Sequence, residues 1–242
     1  MTATTSERAT AAAELRILAI CGWCGPATVA VAFAGWLVAG VLPFPLRASS
    51  TTAEVVRFYA GGVHVPLGIA LASVGVSLVI PLVAAMSHLV RRVDDRPLLA
   101  QVQLVAGATT AALLVVPMLV MATAGFRPDR PADLTVLLND LAWLLFLTPV
   151  APFVIQNLVL ATAVLTHPSS VFPRWVGYLN LWVGFTFTFD VLAYAFHTGP
   201  FAWHGLLIFW LALTSYAVWL VVMGWHVRRA AVTLLHESEE DR

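Results

Sequence analysis

Of the 242 residues, 60% are hydrophobic and 11% are charged, with a mean hydropathy of +0.87; soluble domains carry about 25% charged and about 45–50% apolar residues, so this surface is built to face lipid. The formal net charge is zero, which removes any global field for a nucleic-acid partner, and all 13 basic residues are arginine. Without lysine there is no Schiff base to retinal or pyridoxal phosphate and no P-loop lysine, and two cysteines, Cys21 and Cys24, give no disulfide scaffold. Lysine depletion beside abundant Ala, Val and Arg also points to GC-rich coding.

In chain order, residues 1–14 are polar and alanine-rich, and the first apolar run, 16–41, is too long for a signal-peptide core and reads as a retained span around Pro26. In the loop 42–63, Thr51-Thr52-Ala53-Glu54 matches a capping box. Val55, Val56, Phe58 and Tyr59 follow, predicting a short helix on the outer interface. The second run, 64–90, ends at Arg91-Arg92. The third, 98–124, lies between Arg96-Pro97 and Arg127-Pro128-Asp129-Arg130-Pro131. The fourth, 134–165, contains Pro149 and Pro152; the fifth is 175–197; the sixth, 203–227, ends at Arg228-Arg229 before a charged tail expected to fray.

A run of about 20 apolar residues crosses the hydrocarbon core, and in lipid the backbone amides find partners only in a helix or a closed barrel. The alternating ten-residue strands of a barrel are absent. The expectation is therefore an all-α, polytopic transmembrane bundle of six spans in a single domain, 1–242, in the cell membrane. With the N-terminus inside, the inner segments hold Arg8, Arg16, Arg91, Arg92, Arg96, Arg174, Arg228, Arg229 and Arg242, against Arg47, Arg57, Arg127 and Arg130 outside, so both termini are expected in the cytoplasm. No internal repeat is visible, which weakens a transporter built of inverted halves.

Three segments carry a resemblance: Phe172-Pro173-Arg174-Trp175-Val176-Gly177-Tyr178-Leu179-Asn180, Thr198-Gly199-Pro200-Phe201-Ala202-Trp203-His204-Gly205, and Asn139-Asp140-Leu141-Ala142-Trp143. Together they resemble a family of small uncharacterised six-span integral membrane proteins of GC-rich actinobacteria. The resemblance covers most of the chain and implies the same six-span architecture; it implies no activity. Physically, Arg174-Trp175 reads as an interface anchor, Gly199-Pro200 as a tight outer turn, and Trp203 as an anchor at the other interface.

Asp190 is the most informative residue. It follows Trp175 by fifteen positions, which at about 1.5 Å per residue places it roughly 22 Å above the inner interface. A carboxylate in hydrocarbon costs about 2.5–3.5 kcal/mol, so Asp190 is expected to face the bundle interior as a neutral acid unless a cation lies close. On a continuous α-helix Thr186, Asp190, Tyr194 and His197 share one face. Trp182, Phe185, Phe187 and Phe189 surround that stripe. The plainer alternative is an interhelical hydrogen bond worth about 0.6 kcal/mol. Asp140, beside Asn139 and Trp143, is a second acid near the outer boundary, able to meet His197 or Tyr194 if it dips inward.

Other constellations are weaker. His64 and His88 stand 24 residues apart, roughly 240° around a helix, which disfavours two haem pairs with His204 and His226. A metal at His64, His197 and His204 is equally disfavoured. Cys21-Gly22-Trp23-Cys24 has redox spacing but no second pair to relay electrons. Gln101, Gln103, Gln156 and Asn157 can line an inner cavity or satisfy carbonyls freed by Pro149 and Pro152.

Two functional readings follow. In the first, a lipophilic small-molecule site lies in the outer half of the bundle. Asp190 is its general acid, Tyr194 and His197 are the proton partners, and Asp140, Trp143, Trp182, Thr186 and Phe187 line the ligand, as suits acid-initiated cyclisation or isomerisation of an isoprenoid or lipid. In the second, the protein is a non-enzymatic transporter or accessory subunit of a membrane complex. Neither reading calls for a cofactor, and the expected partners are the lipid bilayer and a lipophilic molecule.

Overall fold

A computed structural model of the chain describes residues 5–93, 97–127, 129–167 and 171–240. Arg96, Pro128 and Arg242, used above for boundaries and orientation, lie outside the described residues. The described residues form α-helices α1 (Thr5–Val38), α2 (Thr52–Tyr59), α3 (His64–Ser77), α4 (Val79–Val93), α5 (Pro97–Phe126), α6 (Ala132–Leu147), α7 (Ala151–Thr166), α8 (Arg174–Phe187) and α9 (Ala212–Glu240), with no strand among them. Six helical stretches are long and apolar enough to cross a membrane: Thr10–Val38, His64–Arg92, Pro97–Phe126, Ala132–Thr166, Arg174–Tyr194 and Leu206–Ser238. The chain has the architecture of a multi-pass membrane protein.

Four of these spans are interrupted. The second changes helix at Leu78, between α3 and α4, and the fourth breaks at 148–150, between α6 and α7. The kink expected at Pro149 and Pro152 is thus a full break. The fifth leaves α geometry after Phe187 and continues as a 3-10 helix, Thr188–Tyr194, and the sixth begins with a π-helix, Leu206–Leu211. The continuous helix predicted for 175–197 is corrected here. Phe185-Thr186-Phe187-Thr188-Phe189 is a run of poor helix formers. Its threonine hydroxyls also take carbonyls one turn back, Thr186 from Val183 (2.8 Å) and Thr188 from Phe185 (2.7 Å).

Two further expectations are revised. The tail beyond Arg229 is helical to Glu240, because Ala230 and Ala231 are buried and Leu234 and Leu235 pack against the same core. Trp203 is not an interface anchor: it is buried, donates its indole N–H to Leu46 O (2.8 Å) and stacks on Trp143 at 6.4 Å. The capping box of α2 forms as read, with Thr51 Oγ1 accepting from Glu54 N–H (3.3 Å) and Glu54 Oε2 accepting from Thr51 N–H (2.7 Å). Val55 and Tyr59 of α2 are buried, and α2 packs against α6. Gly199 takes φ +78°, the left-handed geometry its turn requires.

The buried side chains separate into two clusters stacked along the bundle. One, on the side of both chain ends, centres on Leu82, Met86, Leu89, Leu160, Val176 and Trp219. The other, on the side of the 42–63 loop, centres on Trp36, Ile69, Met118, Trp143, Trp203 and Phe209. The span interruptions fall where one cluster gives way to the other.

The first span is held by close backbone approach. A Cβ on Gly35 would overlap the Ala72 backbone nitrogen of α3, and one on Gly68 the nitrogen of Ala39, the residue after α1; Gly25 and Gly224 make the same approach between α1 and α9. Small residues let helices meet by dispersion and weak Cα–H···O contacts, the forces that remain when lipid removes the hydrophobic driving force. Gly35→Ala should therefore destabilise the protein by about 2–3 kcal/mol, as backbone cannot yield like a side chain. Gly184→Ala, whose added carbon meets only the Asn157 Cβ at 3.4 Å, should change stability by less than about 1 kcal/mol. Paired unfolding curves in detergent measure both.

Candidate functional site

Where the interruptions meet, the helices leave space. A cavity of about 60 Å³ is bounded by α5 at Thr110 and Leu113, by the α6–α7 break from Phe146 to Phe153, by Phe187 and Asp190, and by Phe209, Ala212 and Tyr216. A second cavity of about 40 Å³ shares Leu114, Phe146, Leu213 and Tyr216 as walls and extends to Trp36. The lining is aromatic: Phe153 stands 4.5 Å from Phe187 and 5.1 Å from Tyr216, ring centre to ring centre.

Asp190 supplies the one carboxyl group of this lining. The 3-10 turn points it inward, leaving it 0% exposed, and neither carboxylate oxygen has a hydrogen-bond partner among the described residues. The Tyr216 hydroxyl and the Trp36 indole N–H, on the walls of the same paired space, are likewise buried and unpartnered among the described residues. Thr110 is committed, its hydroxyl donating to Ala106 O at 2.9 Å. Buried polar groups are almost always paired, and each orphan carries a desolvation penalty of about 1–3 kcal/mol.

The other predicted site residues are distributed differently from the single-face expectation. Thr186 is buried with its hydroxyl on Val183, and Phe187 lines the cavity. Trp143 is buried behind the wall, 5.8 Å from Phe209 and 6.5 Å from Phe146. Trp182 is 55% exposed on the outside of the bundle beside Phe185, so it does not wall the pocket. Tyr194 is 64% exposed, and its hydroxyl is bonded to Thr148 Oγ1 at 2.7 Å. His197 is exposed and within Coulombic range of Asp140, not grouped with Asp190. The stripe of Asp190, Tyr194 and His197 is therefore corrected: a 3-10 helix advances about 120° per residue instead of about 100°, and the register of one face is lost beyond Thr188.

Asp140 is half-buried in a separate polar group. It accepts from Asn139 Nδ2 (3.2 Å), while Asn139 Oδ1 accepts from the Tyr59 hydroxyl (3.2 Å). Burial, then the Asp140 charge, pushes the Tyr59 phenol up from its ordinary range. On the side of the chain ends, Gln103, Gln156 and Asn157 are buried with amide atoms that have no partner among the described residues, whereas Gln101 is exposed; none of them lines the Asp190 cavity. Cys21 and Cys24 are free thiols, and no three His, Cys, Asp or Glu side chains converge to hold a metal among the described residues.

Sequence reasoning passed over Tyr216, Phe153 and Phe209. Tyr216 had a usable signal, a lone phenol inside an apolar span. Comparison with protein families, curated proteins and solved structures finds no match to the chain.

The loop over the second cluster is clasped by the segment before the sixth span. His204 Nδ1 accepts from Ala48 N–H at 3.2 Å, next to the Trp203–Leu46 bond. Burial, then Arg47, holds the His204 imidazole below its ordinary 6.5. The fold thus favours the neutral ring, and this contribution is complete above pH 6.5 and lost as the pH falls below it. Protection of the Ala48 amide, its exchange rate divided by the intrinsic rate at each pH, should fall in that direction, and His204→Phe should remove that pH dependence of protection.

A second outcome concerns the orphan carboxyl. Asp190→Leu should raise stability by about 1–3 kcal/mol by deleting unpaired oxygens from an apolar setting; a loss of stability in the same unfolding assay would reveal a structural partner.

Proposed function

We propose that the chain is an integral membrane protein that holds a lipophilic small molecule in the cavity beside Asp190. One observation carries this reading: a fully buried carboxyl with both oxygens unpartnered among the described residues opens onto an aromatic cavity at the level where the spans interrupt their helices. Ligand sites are mostly apolar concavities with a few convergent polar groups, and intramembrane acids mark ligand or ion pathways. Broken helices at mid-span are a recurrent way for membrane proteins to bring polar atoms to a substrate.

The ligand is mainly apolar and elongated. Two small cavities lie on either side of Leu114, Phe146, Leu213 and Tyr216, one lined by Asp190 and the other by Trp36, and rotation of those shared side chains would join them. Binding without turnover, as in a carrier or an accessory subunit, is favoured over acid catalysis. The hydroxyl of Tyr194 is engaged by Thr148 and His197 neighbours Asp140, so neither provides a proton route to Asp190.

A second reading, acid-initiated isomerisation of an isoprenoid or lipid, draws on Phe153, Phe187 and Tyr216, whose faces suit a developing cation.

Ala212 is buried on the cavity wall. Ala212→Met should fill the space, lowering the affinity for a hydrophobic fluorescent probe at least tenfold while preserving the unfolding midpoint within a few degrees. Unchanged probe affinity would remove the cavity as the site. Turnover of prenyl substrates by purified protein, abolished in Asp190→Asn, would move the assignment to the enzymatic reading.

A further inference from the structure

The chemistry around Asp190 specifies more than an apolar guest. A carboxylate in a low-dielectric cavity is tolerated only when something neutralises it. The residues that line this cavity, from α5, α6, α7, the fifth span and α9, include no arginine and no histidine, and the titratable group facing Asp190 is the Tyr216 phenol. The chain has no lysine to supply a cation elsewhere in the bundle. Neutralisation must therefore come from a proton or from a cation that enters.

The walls decide which kind of cation. An inorganic ion surrenders its water only to a shell of several oxygens. Here the Thr110 hydroxyl donates to its own helix, leaving the Asp190 carboxyl and the Tyr216 hydroxyl as the side-chain oxygens with no hydrogen-bond partner among the described residues. Aromatic faces do the opposite: Phe153, Phe187, Phe209 and Tyr216 offer ring surfaces that attract a weakly hydrated organic cation, with a gain that grows when the site is dry.

Resting on the lipophilic-site reading above, we infer that the Asp190 carboxyl is an exchange site that holds either a proton or an organic monocation of the alkyl- or arylammonium class, one at a time. Entry of the cation breaks the carboxyl O–H bond, the proton passes to water, and the carboxylate pairs with the ammonium; no electron is transferred and net charge in the cavity stays at zero. The space beside Asp190 takes the ammonium head, and the apolar remainder lies along the walls at Phe153, Phe187 and Phe209.

The test compares phenyltrimethylammonium with tert-butylbenzene, its neutral isostere, by equilibrium dialysis of protein in lipid nanodiscs against empty nanodiscs. The cation should bind at least tenfold more tightly than the isostere at high pH. Its affinity should fall about tenfold per pH unit once Asp190 takes up a proton, and in that lower pH range close to one proton should be released per cation bound in weakly buffered solution. The isostere should show no pH dependence, and Asp190→Asn should lose the preference for the cation while still binding the isostere. Equal affinity for the two probes, or cation binding without proton release in the unmodified protein, overturns the exchange site and leaves the lipophilic pocket standing. Failure of both probes to bind the unmodified protein, or binding of the isostere undiminished in Ala212→Met, overturns the pocket with it.

Discussion

A backbone surrounded by lipid has to satisfy its own amides, and this chain relaxes that demand at one level of the bundle. The second, fourth, fifth and sixth spans change helix type or break there, at Leu78, at 148–150, after Phe187 and around Leu211. Such irregular backbone is tolerated in hydrocarbon only where protein or an internal cavity surrounds it. Both conditions are met, because the interruptions lie between the two hydrophobic clusters and those of the fourth, fifth and sixth spans border the space that Asp190 faces. Thr148 shows how locally the repair is made. Its hydroxyl bonds Leu144 O at 2.6 Å and the Tyr194 hydroxyl at 2.7 Å, tying the broken fourth span to the 3-10 segment of the fifth.

The acid and the break explain one another. Had α8 continued as an α-helix, Asp190 and Tyr194 would have shared a face; the tighter turn instead buries Asp190 completely and turns Tyr194 outward. A buried carboxyl without a partner works against stability, while neutral side chains of similar size would fit the same site. Packing alone therefore gives no reason for an acid at this position, beside an aromatic cavity.

Much of the architecture was legible before any coordinates. Long apolar runs punctuated by Arg and Pro located all six spans, Thr51 and Glu54 announced α2, and Gly199 marked its turn, because each signal is local and has a single physical cause. What was illegible depends on geometry that hydropathy does not encode. Span five reads as an unbroken apolar stretch whether it is α or 3-10, so the predicted stripe through Tyr194 and His197 used the wrong angular step. Trp203 looked like an aromatic-belt residue, but its partner, Leu46 O, is 157 positions away in sequence. Trp182 and Phe187 are five residues apart and equally aromatic, yet one faces outward and the other the cavity.

The two sides of the bundle differ in how firmly they are fixed. The first span meets α3 and α9 through glycines packed backbone to backbone, at Gly35 with Ala72, Gly68 with Ala39, and Gly25 with Leu220. Contacts of that kind leave no side chain to rearrange. Across the cavity the walls are formed by Phe146, Phe153 and Phe187, side chains that flank helix breaks instead of sitting within continuous helices. Thr148 and Tyr194 join the breaks of the fourth and fifth spans by one hydrogen bond. Asp190 stands on the side of the broken spans and Trp36 on the glycine-packed first span, so these two buried groups, unpartnered among the described residues, belong to opposite sides of the bundle.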